Sequence, residues 1–117
     1  MRLKSFKFAI EGIKKTFITE PNFRIMLAFL FIVIILGIIF GITFTQWAIL
    51  LICSAGVLSL EMINTALEAL VDMITDGHHP LAEKVKDISA GLVLVFSIFS
   101  VAVGLIIFIP YIINLFK

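Results

Sequence analysis

A chain of 117 residues that is 62% hydrophobic and 15% charged departs far from the about 45–50% apolar and about 25% charged of ordinary globular domains. So short a chain has too little interior to hide that much apolar surface, which excludes a water-soluble globular protein and makes lipid its solvent. A net charge of +1 says nothing about an acidic partner, and no nucleic acid is expected.

Residues 1–19 carry a helical period. Leu3, Phe6, Ile10, Ile13 and Phe17 fall on one stripe, with Lys4, Lys7, Glu11, Lys14 and Lys15 opposite. That is the pattern of an amphipathic helix lying in the membrane interface with a basic outer face. Pro21 suits the first turn of a new helix, where its missing N–H costs little.

No charged residue occurs from Ile25 to Leu60 or from Ile88 to Phe116. Each stretch exceeds the roughly 20 apolar residues that cross ~30 Å of hydrocarbon. The first is broken by Gly37, Gly41 and the polar Thr43-Phe44-Thr45-Gln46, so it reads as two spans joined by a short turn. The expected spans are 22–43, 46–75 and 87–113, in a single domain covering 1–117. The fold class is therefore all-α integral membrane: an interfacial helix followed by three transmembrane helices.

The charged leader of about 24 residues and the full-length spans after it argue against a cleaved signal peptide. Cys53 is the sole cysteine and sits in an apolar run, where it acts as a small hydrophobe. Gly91 and Gly104 are expected to permit close helix packing. Arg2, Lys4, Lys7, Lys14, Lys15 and Arg24 precede the first span, and Lys84 and Lys86 lie between the second and third. By the positive-inside rule the N-terminus and the 76–86 loop are cytoplasmic, and the C-terminus faces out.

The chemistry-bearing residues gather at the inner end of the second span. Glu61, Glu68 and Asp72 are spaced i, i+7, i+11 and point within about 20° of one direction at 100° per residue. Asn64 and Thr65 flank that face, while Met62, Ile63, Leu67 and Leu70 lie on the other. If the helix enters the membrane near Trp47, Glu61 lies about 21 Å along it and Glu68 about 31 Å. Glu61 is then still inside hydrocarbon, at a depth where it could take a proton from a lipid hydroxyl. Glu68 reaches the headgroup level, where carboxylates can hold Mg²⁺ and the phosphates of a nucleotide.

Glu20 before the first span and Lys86-Asp87 before the third stand at the same level. Glu20 could share a metal with Glu68, and Lys86 could neutralise phosphate. Helix starts at 21 and 87 would offer partial positive charge to an anion. Intramembrane acids are rare and usually functional, which singles out Glu61. Taken alone, Glu68, Asp72, Asp76, Glu83 and Lys84 could be a solvated helix end, and His78-His79 before Pro80 plain loop residues. No Gly-rich Walker loop is present, so any nucleotide needs another cradle.

The run Glu61-x-x-Asn64-Thr65-Ala66-x-Glu68-x-x-x-Asp72, followed by Lys86-Asp87 and a helix start of small residues, resembles the signature of the prokaryotic diacylglycerol kinase family. That family includes the undecaprenol kinases of Gram-positive bacteria. The likeness covers nearly the whole chain. It implies a homotrimeric kinase of the bacterial inner membrane that moves the γ-phosphoryl of MgATP onto a lipid alcohol. On this resemblance Glu61 matches the catalytic base and Asn64 a residue supporting the site. Glu20 and Glu68 match the metal-binding acids, and Lys86 and Asp87 match nucleotide contacts. Gly77, His78 and His79 fall in the loop that meets ATP in relatives, and Asp72, the last acid of the motif, is a further expected nucleotide contact. Family sites are completed between neighbouring protomers.

Met26 and Phe8 replace a further acid and a tyrosine of the diacylglycerol type. Glu20-Pro21-Asn22-Phe23-Arg24 is closer to the undecaprenol kinase branch, so undecaprenol is the expected acceptor with diacylglycerol second. The main rival function is a small proton-coupled transporter that uses Glu61 as its carrier acid; another is a purely structural subunit. Both leave Glu20, Glu68, Lys86 and Asp87 without a task.

Overall fold

The computed structural model describes residues 2–117 as four helices: α1 (Leu3–Thr19), α2 (Pro21–Phe40), α3 (Phe44–Ile74) and α4 (Pro80–Leu115). The last three are long and apolar enough to cross a membrane. The charge-free stretch 25–60 is divided as its glycines suggest.

Glu20 is a one-residue joint. A residue before proline is pushed out of the helical region, and Glu20 is extended (φ −109°, ψ 105°) between the end of α1 and Pro21 at the start of α2. Arg24 reaches back over the joint and donates to the carbonyls of Phe17 at 2.7 Å and Ile18 at 2.9 Å. Those are among the last, otherwise unpaired acceptors of α1. One proline and one arginine thus set where the Glu20 carboxylate stands.

At the other end of α2, Gly41 takes the left-handed conformation (φ 62°) that L-residues with a Cβ avoid. Thr43 and Gln46 then form a capping box that starts α3: the Gln46 N–H donates to Thr43 Oγ1 at 3.2 Å, and the Thr43 N–H to Gln46 Oε1 at 3.0 Å. The same Gln46 oxygen accepts from the Tyr111 hydroxyl at 2.7 Å, which ties this turn to the end of α4. Around that tie lies an apolar core of Ile42, Leu50, Ile107 and Phe108, bordered by Phe40, Trp47 and Tyr111. It fastens the bundle at the end opposite the acids.

Close helix approach occurs at Gly37 and Gly56. A Cβ on Gly37 would stand 2.6 Å from the Trp47 ring, and one on Gly56 would stand 2.4 Å from the Phe96 ring. Within the chain the close approaches are not at the glycines expected from sequence: a Cβ on Gly91 or Gly104 would meet nothing within 4 Å among the described residues. Composition marks a glycine as permissive, but only helix register decides which glycines face a neighbour. A second correction concerns α4, which begins at Pro80 with His79 as its N-cap. Lys86 and Asp87 therefore lie within its early turns, and the helix start offered to an anion is at 80 instead of 87.

Candidate active site

Glu61 is 3% exposed, although it stands in the apolar body of α3. Glu20 approaches it from the α1–α2 joint and Glu68 lies further along its own stripe. Both are close enough for their charges to act on it. Glu61 and Glu68 lie on one stripe of α3, and Glu20 joins them from the α1–α2 joint. Like charges held near one another repel, and Glu61, the buried member, adds a desolvation cost that a nearby cation or a proton relieves.

Hydrogen bonds order the surroundings. The Thr65 hydroxyl turns back onto the Glu61 carbonyl at 2.9 Å, so it asks nothing of the lipid. Asn64, 8% exposed, donates from Nδ2 to Glu68 Oε1 at 3.4 Å. Its carbonyl oxygen accepts from the Ser89 hydroxyl of α4 at 2.7 Å, and Ser89 is itself 4% exposed. Sequence reading passes over Ser89. The one signal was its place on the face of Lys86, one helical turn on, opposite an asparagine that needs a partner.

The remaining candidates lie one turn toward the α3–α4 loop. Asp72, Gly77, His79 and Lys86 all line a cavity of about 240 Å³, together with Asp76, His78 and Glu83. Lys86 donates to Asp72 across the two helices, and its charge also reaches Glu68. Glu68 stands on α3 between the buried Glu61 and Asp72, the first acid among the walls of this cavity. His79 Nδ1 accepts from the Leu81 N–H at 3.2 Å as a helix cap, and His78 lies 3.5 Å from Glu83. Asp87 is exposed and is not among the walls.

A groove of about 660 Å³ runs between α1, α2 and α3 and reaches α3 at Ala55, Leu58, Ser59 and Met62. Ile10, Phe17, Phe23, Leu58 and Met62 make it apolar, and Lys14 supplies its one charged wall.

Among the described residues, no three His, Cys, Asp or Glu side chains converge as a ready-made metal cage. The donors present still fit magnesium, which takes hard oxygen ligands and is usually held by one or two carboxylates with waters and substrate phosphates. Glu20 and Glu68 would supply such carboxylates.

The family model for prokaryotic diacylglycerol kinase matches residues 7–108. The chain is 45% identical over 107 residues to the undecaprenol kinase of Bacillus subtilis, an alignment that covers 92% of this chain and 87% of that one. It is 36% identical over 114 residues to a diacylglycerol kinase of Synechocystis, covering 97% of this chain and 65% of that one. With a diacylglycerol kinase of Helicobacter pylori it shares 31% over 97 residues, 82% of this chain and 75% of the other. Matched along nearly its whole length, the chain belongs to the prokaryotic diacylglycerol kinase family of lipid kinases.

Proposed function

We propose that the chain transfers the γ-phosphoryl group of ATP to the primary hydroxyl of a membrane lipid alcohol, with undecaprenol the preferred acceptor and diacylglycerol the second. The lipid chain lies in the apolar groove beside Phe23 and Met62, with its hydroxyl at Glu61. Glu61 accepts the hydroxyl proton, the lipid oxygen bonds to the γ-phosphorus, the bond to the bridging oxygen breaks, and ADP leaves. Lys86 faces the phosphates. Glu20 and Glu68 would hold Mg²⁺, which when bound offsets phosphate charge. Asn64 supports Glu68, while Asp72, Gly77 and His79 border the nucleotide; Asp87, outside the cavity walls, keeps a nucleotide contact only on the family resemblance.

The observation that carries this reading is a carboxylate, Glu61, 3% exposed in the apolar body of α3, with the apolar groove reaching the next residue, Met62, and the polar cavity beginning at Val71 and Asp72 further along the same helix. The preference for undecaprenol is supported by the 45% identity to an enzyme of that name. The transporter alternative gains nothing from the relatives, all of which carry kinase names.

In this reading α1 lies on the cytoplasmic face of the bacterial inner membrane. Its stripe residues Phe6 (56% exposed) and Ile10 (49%) are left uncovered by the rest of the chain, as an interfacial helix requires. Basic residues concentrate in α1 and the 76–86 segment and are missing from the 41–46 turn, which supports a cytoplasmic site and an external C-terminus.

The test is an acceptor comparison in mixed micelles with labelled ATP. Undecaprenol should be phosphorylated faster than diacylglycerol, and Glu61→Gln should abolish both reactions without unfolding the protein. A faster reaction with diacylglycerol reverses the acceptor order. Near-normal turnover by Glu61→Gln removes that residue from its role.

A further inference from the structure

A hydroxyl in an apolar helix usually turns back on the carbonyl one turn earlier. Thr16 and Thr65 do so here, at 2.8 and 2.9 Å. Ser89 does not. Its hydroxyl crosses from α4 to α3 and donates to Asn64 Oδ1 at 2.7 Å, and both residues are buried. Asn64 then donates to Glu68 at 3.4 Å.

The direction of this relay follows from what each group can do. An ionised carboxylate only accepts, so Asn64 must present its NH₂ to Glu68 and its carbonyl oxygen to α4. At that point α4 must answer with a donor, and the Ser89 hydroxyl is the donor there. Without it, a buried carbonyl oxygen would lack a partner and the amide could turn. Glu68 would lose the contact that occupies one of its oxygens.

We propose that Ser89 is a positioning residue for phosphoryl transfer: through Asn64 it holds one oxygen of Glu68 engaged and leaves the other for the cation and the nucleotide phosphates. This rests on the reading in which Glu68 is a ligand of Mg²⁺. Metal ligands are commonly held this way by partners that never touch the metal.

The experiment uses the full chain in detergent micelles. Mn²⁺ affinity is measured by electron paramagnetic resonance in the presence of a non-hydrolysable ATP analogue, alongside the KM for lipid. Ser89→Ala should weaken Mn²⁺ binding by about tenfold and leave the lipid KM unchanged. Ser89→Thr, which restores the donor, should bind Mn²⁺ like the unaltered chain. On an Asn64→Ala background Ser89→Ala should add no further loss, since the relay is already cut.

Unchanged Mn²⁺ affinity in Ser89→Ala overturns the proposal, as does equal weakening in Ser89→Thr or full additivity with Asn64→Ala. Glu68→Ala separates the two levels. If it leaves Mn²⁺ affinity intact, the ligand reading itself fails and the proposal falls with it; if it abolishes binding while Ser89→Ala does nothing, only the relay fails. Should Ser89→Ala not fold, the unaltered protein decides. The Asn64 side-chain amide protons should resist exchange with water and shift on addition of Mg²⁺, and exchange at the rate of a free amide overturns the proposal.

Discussion

Lys86 shows how a side chain can matter for function and little for stability. Its ammonium pairs with Asp72, but the two side chains are 38% and 65% exposed. An ion pair so open to water is worth about 0–1 kcal/mol. A charge-assisted hydrogen bond to phosphate is worth about 1.5–3 kcal/mol, or roughly tenfold and more in affinity. Lys86→Ala should therefore barely move the melting temperature while raising the KM for ATP at least about tenfold and sparing the lipid KM. Thermal melts and steady-state kinetics on one preparation check both halves, and an unmoved KM for ATP takes Lys86 out of the nucleotide site. At this scale the sequence is informative where a single helix fixes geometry. The angular alignment of Glu61, Glu68 and Asp72 needs only 100° per residue, and Glu20 needs only Pro21 beside it. Ser89 was hidden because a serine in an apolar run has no chemistry until the facing helix and its register are known.

Elements meet where glycine lets them. The Gly56–Phe96 contact between α3 and α4 sets the spacing that also brings Ser89 to Asn64. Two effects compete in Gly56→Ala. Replacing a helical glycine gains about 1 kcal/mol of propensity, but a Cβ 2.4 Å from the Phe96 ring overpacks the seam, at a cost of typically about 1–3 kcal/mol. The net expectation is a destabilisation of roughly 1 kcal/mol, and on a Phe96→Ala background the same change should stabilise by about as much. Equilibrium unfolding in micelles reads the sign in each background; the same sign in both would mean the ring is not what Gly56 accommodates. The three apolar helices and the breaks between them were legible because charge-free stretches and Gly-Pro punctuation are local signals. Which glycine faces which helix was not, since Gly56 and Gly104 look alike until α3 and α4 are placed side by side.

The whole molecule is thin for the work proposed. Only 11–17% of the apolar stretch of each span is buried within the chain. The cavity beside Lys86, about 240 Å³, falls below the about 300–1,000 Å³ usual for small-molecule sites. Among the described residues, a Cβ on Gly91 or Gly104 would meet no neighbour within 4 Å. The two glycines point about 140° apart around α4, so a second copy packed on the Gly104 side would cover one of them, as the homotrimer implied by the family resemblance would require. Gly104→Leu distinguishes lipid from protein on this face. Against lipid, leucine is favourable in a membrane helix, and both oligomer mass and activity should persist. Against a neighbouring helix, its side chain prevents the approach that glycine allows, so mass measured by light scattering in detergent should fall from trimer toward monomer and ATP binding should fall with it. A Gly104→Leu protein that keeps both its mass and its ATP affinity would place that glycine toward lipid, and a monomer with full turnover would show that one chain completes the site alone.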